Sequence, residues 1–267
     1  MKRFTLIVGL VFSGLVVITA LVSLVWTPYD PTKVSTSKYA SFSWSHLLGT
    51  NDLGMDTLSR LMVGAQTTLI VGFLAVGIAA IIGIPLGIYV GMGHKMLGEV
   101  VARASDILYA LPALLLAILL AVGLGASVTT ATIAIGVATI PIFQRMARAA
   151  TLSVMNQDYI LAAEVCGTPR IVIALRHIVP NIAPLMGVQA ATSFSMAILA
   201  EAGLAYLGLS APQSVPAWGR MIKDASMYTA PVQVIIPGIA IAVAVMGFNL
   251  LADGVRDYLD PQLREVR

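Results

Sequence analysis

The residues that could do chemistry are few and scattered. The chain of 267 residues holds 13 Asp and Glu, 16 Lys and Arg, three His and one Cys. His46, His94 and His177 have no nucleophile or acid at catalytic spacing. With Cys166 they offer no metal-ligand pattern, and a single cysteine makes no intrachain disulfide. The phosphate-binding pattern G-x-x-x-x-G-K-[ST] is absent, as is any Gly-Lys dipeptide, so this motif offers no site for ATP chemistry on the chain. Asp106 and Glu201 stand out because they border long apolar runs, where a charge is a functional suspect by default. For Asp106, close to Arg103, the plainer alternative is a helix-end charge. For Glu201 it is a bond to neighbouring backbone. The densest group of polar residues is the run "AAEVCGTPRIVIALRHIVPN", Ala162 to Asn181.

Most of the remaining chain avoids water. Hydrophobic residues make up 58% and charged residues 11%, against about 25% charged in a soluble domain. Mean hydropathy is +0.90. This composition predicts an all-α integral membrane protein, and the net charge of +3 gives no reason to expect nucleic acid as a partner. A helix needs about 20 apolar residues to cross a bilayer. Such runs are Phe4 to Tyr29, Leu61 to Gly93, two from Ile107 to Gln144 broken at "GLGAS", Ile182 to Leu209 and Val232 to Ala252. The first follows Lys2 and Arg3, has no clear cleavage site, and reads as a retained span rather than a signal peptide.

Six spans place both termini on one side. With the N-terminus inside, Lys and Arg at 2, 3, 95, 103, 145, 148, 170, 176, 256, 264 and 267 are inner. Those at 33, 38, 60, 220 and 223 are outer. Basic residues favour the cytoplasmic side, so both termini are expected there, in the cell (inner or plasma) membrane. The run from Ala162 then lies in the cytoplasm between the fourth and fifth spans. Asp158 to Cys166 can form a short helix, and Gly167 suits the left-handed position that ends one. Thr168 can cap a second helix whose first turn takes Pro169. Pro180 is expected to stop that helix or bend it into the fifth span. Two short helices at a stiff elbow make either an amphipathic connector on the membrane surface or a docking knob for a partner.

Four ordered motifs carry a resemblance. Leu161-Ala162-Ala163, then Gly167, then "RHIVPN" resembles the EAA loop of ABC importer permeases. Leu161 stands where Glu is common, and Glu164 is a possible substitute. "HLLGTNDLGMDTLSRLMVGAQTTL" (46–69), "EAGLAYLGLSAPQSVPAWGRMI" (201–222) and "FNLLADGVRDYLDPQL" (248–263) resemble further segments of the dipeptide, oligopeptide and nickel permeases. The resemblance implies a type I importer permease fold with six transmembrane helices. Residues 1–60 form the first helix and an outer segment. Residues 61–267 form the core, with a coupling loop at about 150–180. It also implies a second homologous permease subunit, two cytoplasmic ATPases holding ATP and Mg, and an extracytoplasmic binding protein. No cofactor is expected on this chain, and it is not expected to be an enzyme.

On that reading Ala162, Ala163 and Gly167 pack into an ATPase groove, and Glu164, Arg170 and Arg176 contact its rim. Asp106 and Glu201 are candidates for the translocation path or its gate. Peptides are the favoured cargo, a nickel or metal chelate the alternative. A self-sufficient secondary transporter or channel is a third reading, disfavoured because the spans are nearly free of charge. Asp56 and Arg60, four apart, are expected to pair, and Asp253, Arg256 and Asp257 to form a cluster fixing the tail. Trp44 and Trp218 suit either a landing site for the binding protein or an ordinary membrane anchor.

Overall fold

The computed structural model describes residues 2–93, 95–227 and 231–259. His94, the side chains of Lys2, Arg3 and Lys95, and residues 260–267 lie outside the described residues. Every regular element among the described residues is helical. Helices α1 (Lys2–Val25), α2 (Thr57–Gly91), α3 (Lys95–Ala110), α4 (Ala113–Leu124), α5 (Val128–Met155) and α6 (Asp158–Val165) come first. Then follow α7 (Arg170–Ile173), a wide turn at Ala174–Ile178, α8 (Val179–Leu207), α9 (Trp218–Met227) and α10 (Pro231–Leu259). Five stretches are long and apolar enough to cross a membrane, and α3 with α4 makes a sixth if that bent pair is one crossing.

Helix α2 is laid directly on α5. Gly83, Gly87 and Gly91 recur one per turn, and a β-carbon on each would collide with α5. Gly83 faces Phe143 and Ile140, Gly87 the Gln144 carbonyl and Ala147, and Gly91 Thr151. Without a hydrophobic force between helices in lipid, such close backbone approach is what holds spans together. The partners ascend in the same order on both helices, so α2 and α5 run parallel. The chain between them must therefore return across the bundle, which is the work of α3 and α4. Helices α1 and α10 run antiparallel, with Gly9 against Leu251, Gly247 against Ser13, and Gly254 against Leu6. This gives six crossings, with the start of α1 and the end of α10 at the same end of the bundle.

The third crossing differs from the unbroken span expected after Ile107. It bends by 92° between α3 and α4. Leu111 precedes a proline, a position pushed out of the helical region, and Pro112 heads α4 with an extended ψ of 128°. The helix at Pro180 also differs from expectation. Helix α7 runs on into α8 without stopping. The proline lies in the first turn of α8, just after the wide turn, where the Val179 amide donates to the Ala174 carbonyl five residues back.

Candidate functional site

The ends of the bundle differ, and the elbow lies at the end shared by both termini. Helix α6 closes with both hydrogen bonds of a left-handed helix cap. The Gly167 amide donates to the Glu164 carbonyl (2.9 Å) and the Thr168 amide to the Ala163 carbonyl (3.0 Å). Gly167 has φ +73°, and nothing lies within 4 Å of where its β-carbon would be. Its requirement is thus one of backbone conformation and not of space within the chain. Thr168 does not cap the next helix. Pro169 occupies that position, with no side-chain hydrogen bond.

Three isoleucines fix the elbow to the bundle. Ile160, Ile173 and Ile178 are fully buried in the same core cluster as Phe143 and Ala147 of α5 and Ile182 of α8. Asn181 adds a polar tie, donating to the Tyr159 hydroxyl (3.2 Å) and to the His177 carbonyl (2.7 Å). The Tyr159 and His177 rings are in contact, 5.9 Å between centroids. The outer surface of the elbow carries large apolar side chains among its charged ones. Val165 is 90% exposed, Ile171 65% and Leu175 64%.

Of the residues singled out in the sequence, Ala162, Glu164, Gly167, Arg170 and Arg176 are exposed on this elbow, and Ala163 is half-buried against the core. No ion pair joins Glu164, Arg170 or Arg176 to another described residue within this chain. The apolar patch that the sequence offers as a docking knob is made of Val165, Ile171 and Leu175. Their signal is large apolar residues on both sides of a glycine helix stop.

The remaining candidates fall elsewhere. Asp106 does not pair with Arg103, which binds Glu99 at 2.8 Å. It binds Arg145 of α5 at 2.7 Å, and that guanidinium lies 3.9 Å from the centre of the Tyr109 ring. Asp106 therefore ties the bent helix to its neighbour. Glu201 is fully buried in α8. Neither carboxylate oxygen finds a hydrogen-bond donor, in backbone or side chain, although the Ser210 hydroxyl, also buried, lies close by. A carboxylate so enclosed does not meet a passing substrate in this conformation.

At the opposite end, Asp56 and Arg60 do not form a side-chain pair. Asp56 caps α2, accepting from the Ser59 amide (2.8 Å), and meets His46 at 2.9 Å. Arg60 is 1% exposed and donates to the carbonyls of Pro31 (3.0 Å) and Gln213 (3.1 Å). Trp218 is buried, its indole N–H donating to the Leu61 carbonyl (2.9 Å), whereas Trp44 is 98% exposed. Asp253, Arg256 and Asp257 are all exposed, with no ion pair among them.

Residues 83–265 match the family described as "Binding-protein-dependent transport system inner membrane component". The chain belongs to this family. It is 37% identical over 264 residues to a dipeptide transport system permease protein, DppC, of Alkalihalophilus pseudofirmus, covering 94% of this chain and 85% of that one. It is 38% identical to the di/tripeptide permease protein DppC of Pseudomonas aeruginosa, covering 96% and 88% of the two chains. The dipeptide permease protein DppC of Escherichia coli K12 is also 38% identical, over 97% and 89%. Two solved chains of the MetNI methionine ABC transporter, in inward-facing conformations, superpose with TM-scores of 0.57 and 0.59. They are 18% and 20% identical and cover 73% and 75% of this chain and 96% and 97% of their own. This likeness shows the fold, that of a type I ABC importer permease. The chain is a multi-pass transport permease of an inner membrane.

Proposed function

We propose that this chain is one of two permease subunits of an ATP-driven importer of dipeptides and oligopeptides. Its relatives named above are peptide permeases, and that supports peptides over a nickel chelate. The elbow is the surface on which a cytoplasmic ATPase docks, and ATP and Mg are held by the two ATPases. A binding protein delivers the peptide at the opposite end, and both chain termini are cytoplasmic.

One observation carries the docking assignment. The elbow is rigidly capped and anchored by three buried isoleucines, yet it turns Val165, Ile171 and Leu175 outward. A fixed, capped shape with apolar groups on its exposed side suits a groove on another polypeptide better than a connector that has only to lie on the membrane surface. Fixed to α5 through Ile160 and continuous with α8 through the wide turn, it can pass a push from a closing ATPase pair to two spans at once.

Gly167→Leu tests this. A β-carbon there meets no atom within 4 Å and Gly167 is exposed, so the main cost to folding is the left-handed backbone, about 1 kcal/mol. The variant is expected to insert and to pair with the sister permease, but to lose the ATPases on co-purification and to lose peptide uptake. Normal ATPase retention with unchanged uptake would reduce the elbow to a surface connector.

A further inference from the structure

Two large grooves open on the bundle at membrane depth, and their chemistry differs. The larger, about 790 Å³, lies among α1, α2, α8 and α10, and its walls are hydrocarbon and aromatic, including Phe73, Leu74, Phe194 and Phe248. It is an ordinary surface for lipid tails. The second, about 450 Å³, lies among α4, α5 and α8. Most of its lining is apolar, from Ala138 and Ala197 to Leu114 and Met196, but it also holds four neutral polar side chains, Thr139, Gln189, Thr192 and Ser193.

The local hydrogen bonds leave polar capacity unused. Thr139 donates to the Ile135 carbonyl (2.7 Å) and Thr192 to the Val188 carbonyl (3.1 Å), so each hydroxyl oxygen can still accept. Gln189 donates to the Ser193 hydroxyl (2.9 Å), and its carbonyl oxygen has no hydrogen bond among the described residues. An amide with unused groups facing lipid costs free energy that Leu or Ala would avoid. A wet path removes that cost. All four groups are uncharged, and no charged residue lines the groove.

We propose that the groove of α4, α5 and α8 is this subunit's wall of the cargo path, and that Gln189, Thr139 and Thr192 bind the backbone amides of the passing peptide. Neutral donors and acceptors match the peptide unit, which carries one N–H and one C=O whatever the side chain. The wall therefore passes peptides of varied sequence. It also replaces Asp106 and Glu201 as the path-lining group, since one is held by Arg145 and the other is enclosed. This assignment rests on the peptide-importer reading of the chain.

The experiment uses the full assembly, with sister permease, ATPases and binding protein, in proteoliposomes supplied with radiolabelled dialanine. Gln189→Met keeps the shape and removes the amide. Uptake from limiting dialanine is expected to fall about tenfold, the scale of one lost hydrogen bond, with ATPase co-purification intact. In a Cys166→Ser background, Gln189→Cys is expected to react with a membrane-impermeant thiol reagent, and saturating dialanine during turnover is expected to slow the reaction. Unchanged uptake by Gln189→Met would overturn the proposal. So would a thiol at 189 that stays unreactive, because a helix of the sister subunit or lipid then fills the groove. If the wild-type assembly takes up no dialanine, the peptide reading itself fails and the amide-binding role falls with it. Reactivity at 189 would then still decide whether the groove is wet.

Discussion

The two ends of the bundle are finished in opposite ways. At the end where α2 begins, the segment before it is polar and tightly knit. Asn51 holds the amides of Leu53 and Met55, and Thr50 accepts from the Ala40 amide. Gln233 of α10 reaches the Leu48 carbonyl, and Arg60 clasps Pro31 and Gln213 from two separate segments. At the other end, the elbow makes few polar bonds to the bundle, buries three isoleucines and leaves its outer apolar side chains bare. The cap is knit by polar bonds within this chain, although Phe42 and Trp44 remain exposed on it. The elbow has a fixed shape and an unmatched surface, as expected of a part whose partner is another polypeptide. Substitutions in the cap should therefore act on stability, and substitutions on the elbow's outer side on assembly.

The largest effect is expected in the cap. Arg60→Leu removes the donors to two carbonyls in separate segments and takes away a buried cation near Asp52 and Asp224, the latter keeping only Arg220. A loss of about 3–5 kcal/mol is expected, the range for breaking a buried charged network. Thermal unfolding of the purified permease pair measures it. A midpoint unchanged from wild type would mean that the cap holds together without its clasp.

The elbow should answer the other way. Val165→Asp places a charge on a side chain that is 90% exposed here, so the unfolding midpoint should not move. Docking should weaken by about 2–4 kcal/mol, more than tenfold in affinity, because an unpaired charge would be buried against the ATPase. Titrating the purified ATPase onto the permease pair in detergent checks both the direction and the size. Full-strength docking with a lowered midpoint would reverse the contrast between the two ends.

A third, smaller effect returns to the cap. Asp56→Ala removes the side-chain bond to the Ser59 amide and the contact to His46. About 1–2 kcal/mol of stability is expected to go, as for other helix N-caps. Asp56→Asn keeps an acceptor for the amide and should recover most of it. Recovery by Asn assigns the loss to the cap, whereas its failure assigns it to the charge facing His46.

What could be read from sequence divides along the same lines. The crossings were legible because apolar length alone sets them, and Gly167 was legible because a helix stop needs a residue that tolerates positive φ. The bend at Leu111-Pro112 falls near the start of the apolar run from Ile107, and the helix before it, amphipathic and carrying Glu99, Arg103 and Asp106, does not read as part of a crossing. Arg60 was misread because its partners lie 29 and 153 residues away, while the tempting carboxylate lies four away. The partner of Asp106 was out of reach for the same reason, being 39 residues distant. Local spacing gives helix ends and local pairs. It cannot give a partner that only tertiary packing brings near.

The smallest predicted effect probes how the elbow is held rather than what it touches. Asn181 ties α6 to the start of α8 by bonding the Tyr159 hydroxyl and the His177 carbonyl. Asn181 and Tyr159 are both exposed, so each bond is exchanged against water and contributes little to stability. Asn181→Ala is expected to cost about 0.5–1 kcal/mol at most. The buried isoleucines remain, so the elbow keeps its place, but α6 gains freedom relative to α8. If the elbow passes force as a rigid piece, ATPase affinity should stay near wild type, while uptake per ATP hydrolysed should drop by about twofold, the size of a few tenths of a kcal/mol. Measuring dialanine uptake and phosphate release in the same proteoliposomes gives that ratio. A wild-type ratio would place all of the rigidity in Ile160, Ile173 and Ile178. A ratio lowered together with ATPase affinity would instead assign Asn181 to the docking surface itself.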